Sequence, residues 1–353
     1  MNLFFNRHEF STRGRGLTFD DVLLVPQHSE ITSRREPELA TKLSKNFSLN
    51  IPLVAANMDT ITESAMACAM ADLGGIGILH RFMPLEEQIR QTATIRDFQK
   101  NNALKMPIAA SIGVKTEGME RADRLAEAGV DILTIDIAHG DSIMMLEILS
   151  HVRKKYPHID VIAGNVATAD AAQRLINAGA QAIKVGIGPG SMCTTRVITG
   201  HGMPQLTAIA LCAEVADKHA IPIIADGGVR NSGDIVKAIA AGASCVMLGS
   251  MLSGTLETPG EVKGGHKIYR GMASKDAQVS WRGELPQGMA AEGEATLVPC
   301  KGSVRDVVLE ITGGIRSGLS YAGVEKISAL RELGIFTEMS PAGVTESRAH
   351  GLK

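Results

Sequence analysis

One loop concentrates residues able to do covalent chemistry: Gly186-Ile187-Gly188-Pro189-Gly190-Ser191-Met192-Cys193-Thr194-Thr195-Arg196. It follows the strand-like run Ala182-Ile183-Lys184-Val185 and places three glycines and a proline ahead of one thiol. Glycines this closely spaced let the backbone turn and aim several N–H groups at a phosphate. Cys193 then lies among hydroxyls and donors beside Arg196, surroundings that favour a thiolate. A phosphate cradle next to such a thiol implies a nucleotide held for nucleophilic attack. The plainer alternative is a tight turn with an incidental cysteine.

The other four cysteines look inert. Cys68, Cys212 and Cys245 sit in apolar, Ala-rich or strand-like runs, and Cys300 follows Val298-Pro299. With no C-x-x-C pair, zinc and structural disulfides are both poor fits.

A second phosphate signal is Ala225-Asp226-Gly227-Gly228 together with Leu248-Gly249-Ser250. Asp226 suits ribose hydroxyls, while Gly228, Gly249 and Ser250 suit phosphate. Alone, Asp-Gly-Gly is only a turn signal. Combined with the thiol loop, it points to a nucleoside monophosphate, and no G-x-G-x-x-G strand–helix fingerprint is evident.

These loops need a frame. Three stretches share one pattern, a helix end, a glycine suited to the left-handed conformation, then a buried strand: Glu127–Leu133, Asn177–Ile183 and Ala240–Val246. Asp72–Ile78 is a looser fourth copy. Such repetition predicts βα units and a parallel sheet. Eight strand-like runs appear, at 53–57, 76–79, 108–113, 132–138, 160–166, 182–187, 222–227 and 245–250, with amphipathic helices at 117–128, 142–155 and 168–178. Eight units in about 250 residues predict a (β/α)8 TIM barrel, ahead of a doubly wound open sheet. Asn57, Asp136, Cys193, Asp226 and Ser250 fall at strand ends, where a barrel carries its chemistry. Residues 251–302 break the repeat with a glycine-rich, polar excursion that reads as a flap, or else as a disordered insertion. Residues 303–333 return to a helical pattern and 339–353 read as a tail, so the expectation is a single barrel domain over 1–353.

The 353 residues are 44% apolar and 3% aromatic, with a formal net charge of −2. That balance argues against a nucleic-acid or membrane-surface partner, and no run of 18 apolar residues occurs. Met1–Phe10 lacks the apolar stretch of a signal peptide, so a soluble cytoplasmic protein is expected.

Taken together, the thiol loop, Leu17–Pro26, Ala56-Asn57-Met58-Asp59-Thr60, Asp136–Gly140, Ala225–Gly228, Tyr269-Arg270-Gly271-Met272 and Gly313–Ser317 resemble the IMP dehydrogenase/GMP reductase family, in order and over nearly the whole chain. The resemblance implies a (β/α)8 barrel, usually tetrameric, whose cysteine attacks C2 of a purine. It implies Cys193 as nucleophile, with Thr195 and Glu292 as proton relay. Ser191, Gly228, Gly249, Ser250 and Tyr269 would hold phosphate, and Asp226 the ribose. Met58, Gly271 and Met272 would line the purine, and Asp136 with Asn57 would lie on the nicotinamide side. A monovalent cation, K+, would sit on the carbonyls of Gly188, Gly190 and Cys193. Without the resemblance Glu292 reads as a solvated loop carboxylate.

Within the family the chain is mixed. Only Phe82 to Lys105 fill the gap where dehydrogenases commonly carry a CBS module, so no such module is expected. The flap lacks the Arg-Tyr pair that activates water in dehydrogenases; its nearest equivalent is Trp281-Arg282. Asn57 also resembles reductases. The Leu17–Pro26 segment and Val344-Thr345-Glu346-Ser347 look more like dehydrogenases, and 289–291 lacks an arginine that some reductases carry. The favoured expectation is NADPH-dependent reductive deamination of GMP to IMP by a homotetramer. A dehydrogenase without the CBS module, using NAD and water, and a non-catalytic purine-nucleotide sensor remain as alternatives. Arg81, Lys105 and Lys115 are expected to face solvent.

Overall fold

The computed structural model describes residues 3–284, 287–288, 290–347, 349 and 351. Eight short apolar strands form its centre: β1 Leu53–Ala55, β2 Ile76–Leu79, β3 Ala109–Ile112, β4 Ile132–Asp136, β5 Asp160–Val166, β6 Ala182–Val185, β7 Ile223–Asp226 and β8 Cys245–Leu248. All neighbouring pairs are parallel, and β8 closes on β1 through Val246↔Leu53, Met247↔Val54 and Leu248↔Ala55. The predicted barrel is therefore present, with every predicted strand at its place. The predicted C-terminal ends overran by one to two residues in most strands, because apolar composition continues into loops where ladder pairing has stopped.

Helices Ser64–Asp72 (α1), Leu85–Asn101 (α2), Lys115–Glu127 (α3), Ile143–Lys155 (α4) and Ala169–Asn177 (α5) cover the first part of the barrel. Ser142 and Thr168, read from sequence as helical, are instead N-caps whose hydroxyls accept from Met145 N and Ala171 N. Gly129, Gly179 and Gly242 all have positive φ (83°, 100° and 119°), the left-handed turn inferred from the repeat. The β2-to-β3 connection holds the single helix α2, an ordinary barrel crossover. After the short Thr195–Thr199 (α6) come Gln205–Asp217 (α7) and Ser232–Ala240 (α8).

Residues 251–302 differ from the loose excursion expected. They contain an antiparallel hairpin, His266–Arg270 (β9) with Ala295–Pro299 (β10), and between these strands the helix Lys275–Arg282 (α9). Residues 285, 286 and 289 of this segment lie outside the described set. A buried lysine anchors its base: Lys267 Nζ donates to the carbonyls of Thr255 (3.1 Å), Leu256 (3.1 Å) and Thr258 (2.7 Å). High glycine content hid this order, since the glycines fall at the turns and leave the strands intact.

Val304–Tyr321 (α10) and Ile327–Leu333 (α11) complete the wall, as the helical pattern predicts. Of the expected tail, Pro341–Glu346 is a short helix (α12), and 348, 350, 352 and 353 lie outside the described residues. The ends of the chain meet in a small sheet, Phe4–Phe5 with Phe336–Glu338 and Val22–Leu24. Phe336 is fully buried there, its ring 5.6 Å from Phe5 and 5.3 Å from Phe10.

Removing a buried ring costs transfer energy and leaves a cavity. Phe336→Ala should destabilise the fold by about 3–5 kcal/mol, read as a lower urea midpoint with the slope unchanged.

Candidate active site

The strand ends converge on one cavity of about 520 Å³. Every site residue named from the sequence lines it: Asn57, Met58, Asp136, Gly188, Gly190, Ser191, Cys193, Thr195, Asp226, Gly228, Gly249, Ser250, Tyr269, Gly271, Met272 and Glu292.

Close packing of backbone forms its floor. A Cβ at Gly186 would lie 2.0 Å from the carbonyl oxygen of Asp226, so only glycine lets the thiol loop leave β6 beside the end of β7. Gln205 Nε2 reinforces the junction by donating to Val185 O (2.9 Å) and Asp226 O (3.1 Å). The flap is then sewn onto the thiol loop. Glu294 N donates to Met192 O (2.9 Å), Thr194 N to Glu292 O (3.0 Å), and Glu292 N to Ala273 O (3.0 Å).

Those bonds bring the Glu292 carboxylate onto the Thr195 hydroxyl, 97 positions away and next to the thiol. Cys193 Sγ donates to Thr195 Oγ1 at 3.1 Å, and Thr195 Oγ1 donates to Glu292 Oε2 at 2.8 Å. The chain runs from thiol to carboxylate without a break. Such an array can take the thiol proton and later deliver it to a leaving group. Arg196, expected to favour the thiolate, is turned away and donates to Met203 O at 2.5 Å.

The side expected to hold phosphate is built from the loops after β6 and β8 and from strand β9. Ser191 Oγ and Tyr269 Oη are 3.0 Å apart, and a Cβ at Gly249 would fall 3.0 Å from that phenol and 3.2 Å from Met58 Sδ. Burial raises the Tyr269 pKa, with Ser191 opposing, so the phenol stays a hydrogen-bond donor. Met272 Sδ accepts from Asp59 N (3.2 Å), and Gln278 Nε2 donates to Met272 O (2.9 Å), which fixes the wall next to Met58.

The opposite side is acidic. Burial would raise the Asp136 pKa, but the Lys184 ammonium, Arg81 and Asn57 together hold it below the ordinary carboxylate range. Lys184 Nζ donates to Asp136 Oδ1 (2.7 Å) and Asp226 Oδ2 (2.8 Å), and also to the Asn165 side-chain oxygen. Burial disfavours the charged lysine, yet the two carboxylates more than offset it and raise its pKa.

Sequence reasoning missed Lys184 and Asn165, and it sent Arg81 to solvent. Arg81 is half-buried and lines the cavity, whereas Lys105 and Lys115 are exposed as expected. A lysine inside the apolar run Ala182–Val185 was the available signal, because a buried lysine demands partners. Trp281 stacks on Phe82 (5.9 Å between ring centres, 12° between planes), and the next residue, Arg282, lines the cavity. Among the described residues no group of three His, Cys, Asp or Glu could hold a metal ion.

All five cysteines are free. Burial pushes the thiol of Cys68 to about 11 and that of Cys212 to about 12, and it raises Cys245 as well. Iodoacetamide at pH 8 should therefore label Cys193 ahead of Cys212 and Cys245. Peptide mapping that finds Cys212 labelled as fast as Cys193 in the native protein would contradict this.

Comparison with known proteins follows the same lines. The IMP dehydrogenase / GMP reductase domain model matches residues 16–350. An inosine-5'-monophosphate dehydrogenase of Cryptosporidium parvum is 42% identical, covering 96% of this chain and 96% of its own. One from Nitrosopumilus maritimus (strain SCM1) is 38% identical, covering 95% and 98%; that alignment spans 466 positions against the 353 residues here, so the relative carries additional sequence. A solved structure of a GMP reductase variant from Trypanosoma brucei, in complex with guanosine 5'-monophosphate, superposes with a TM-score of 0.89 at 34% identity, covering 98% of this chain and 100% of that one.

Proposed function

The chain belongs to the IMP dehydrogenase/GMP reductase family, and from that premise we propose that it reduces GMP to IMP and ammonia at the expense of NADPH. The observation that carries the reading is the unbroken chain Cys193 Sγ–Thr195 Oγ1–Glu292 Oε2, at 3.1 and 2.8 Å. Cys193 adds to C2 of the purine while its proton passes through Thr195 to Glu292. The same pair returns that proton to the exocyclic amine, which departs as ammonia and leaves C2 bonded to sulfur. That carbon then takes up the hydride that a nicotinamide cofactor held beside Asp136 would supply. Cys193 then departs as thiolate and IMP is complete. Overall, GMP, NADPH and two protons give IMP, NADP+ and ammonium.

The remaining residues position and shield. Ser191, Gly228, Gly249, Ser250 and Tyr269 hold the phosphate, Asp226 the ribose, and Met58, Gly271 and Met272 the purine. Asp136 and Asn57 suit the cofactor side, since the Asp136 carboxylate is 22% exposed toward the cavity and kept ionised. The carbonyls of Gly188, Gly190 and Cys193 suit a monovalent cation. That of Gly190 also accepts from Cys193 N at 3.1 Å, which leaves it one lone pair for the ion. In this reading the protein is a cytoplasmic homotetramer of single-barrel subunits without a CBS module, and Ile268 and Leu297, paired and exposed on the flap hairpin, suit a subunit contact.

Support for reductase over dehydrogenase comes from the flap, which has no Arg-Tyr pair to activate water. The dehydrogenase reading is favoured by the names of the relatives and by Arg282, the one flap arginine among the lining residues of the cavity. In it, water attacks the sulfur adduct and XMP is released.

Two assays separate them. GMP with NADPH should consume NADPH and yield IMP and ammonia in equal amounts. Sustained XMP and NADH from IMP and NAD would replace this reading with the dehydrogenase. Cys193→Ala should abolish turnover while GMP still binds by calorimetry; retained turnover would remove the covalent route. Glu292→Gln should slow ammonia release by about 100-fold or more while GMP affinity holds.

A further inference from the structure

Lys184 occupies an unusual place. Its side chain is 2% exposed at the end of β6, and its three N–H donors meet three acceptors drawn from β4, β5 and β7. Asp136 and Asp226 each commit an oxygen to it, and each side chain stays about a fifth exposed toward the cavity (22% and 23%). Asn165 completes the set, accepting from Lys184 and donating to Asp226 Oδ2 (2.9 Å) and Gly186 O (2.8 Å). One ammonium therefore fixes the carboxylates of two different walls at once. An ion this buried cannot turn to water when one partner is altered, so a change at either carboxylate is passed to the other.

We propose that Lys184 is a positioning residue that couples the nucleotide site at Asp226 to the hydride-donor site at Asp136, setting the register of the two ligands across which hydride moves. This rests on the assignment of those two sites given above. Coupling of this kind is reciprocal, so each ligand changes the affinity for the other by the same factor.

The test is a binding cycle without cofactor. GMP and IMP are each titrated calorimetrically into wild type, Asp136→Ala, Lys184→Met and the double variant, with thermal midpoints recorded. Asp136→Ala, on the far side from the nucleotide, should weaken nucleotide binding about 5-fold or more. In the Lys184→Met background the same substitution should add nothing further. Asp136→Ala within twofold of wild type overturns the coupling, as does an additive double variant, which would route the effect elsewhere. If Lys184→Met fails to fold, the Asp136→Ala result still decides, because that variant keeps the lysine and two of its acceptors. Failure of wild type to bind either nucleotide overturns the nucleotide reading itself and the coupling with it.

Discussion

The site depends on a backbone contact at Met192. Its carbonyl accepts the Glu294 N–H at 2.9 Å, and neighbouring bonds from Thr194 to Glu292 and from Glu292 to Ala273 lock flap and thiol loop into one surface. Space there is tight: a Cβ at Gly293 would come within 3.1 Å of both Met192 O and Ser274 N, and one at Gly271 within 3.1 Å of Met192 O. Without this stitching Glu292 is a loop carboxylate on a hairpin. With it, Glu292 ends a hydrogen-bonded chain that begins at the Cys193 thiol. A shift of about 1 Å in such an array is worth about 100-fold in rate.

A second constraint lies beneath the first. A buried ammonium with two carboxylates is expensive to form, and removing one member of such a group typically costs about 3–5 kcal/mol because the rest stays buried. The barrel tolerates that cost at the end of β6, beside the strand ends that line the cavity. Elsewhere the barrel strands are almost wholly apolar: Ser111 and Thr134 are buried without charge, and the buried Asp160 at the start of β5 accepts from Ser44 and Asn46 rather than from a cation.

Much of this was legible in the chain. The barrel followed from repeated helix–glycine–strand units because their period reflects a real left-handed turn, seen at Gly129, Gly179 and Gly242. The candidate residues gather in one cavity because a parallel barrel gathers its strand ends. Three things were not legible. Flap order depends on pairing across 25 or more positions, as between Arg270 and Ala295, which local composition does not encode. The Lys184 group joins four strands: a lysine in an apolar run signals that partners are needed, but only closure of the barrel says that they are Asp136, Asn165 and Asp226. Arg81 follows a buried histidine at a strand end, and only closure of the ring turns it inward.

The central claim is that sulfur of Cys193 bonds C2 and that this protein does not pass the adduct to water. IMP and NADP+, mixed without ammonia and quenched in acid, put that to one measurement by peptide mass spectrometry and product analysis. The account predicts an adduct on Cys193, at most one NADPH per site, and no XMP. Continuous XMP formation, or an adduct-free Cys193 in a protein that still converts GMP, would contradict it.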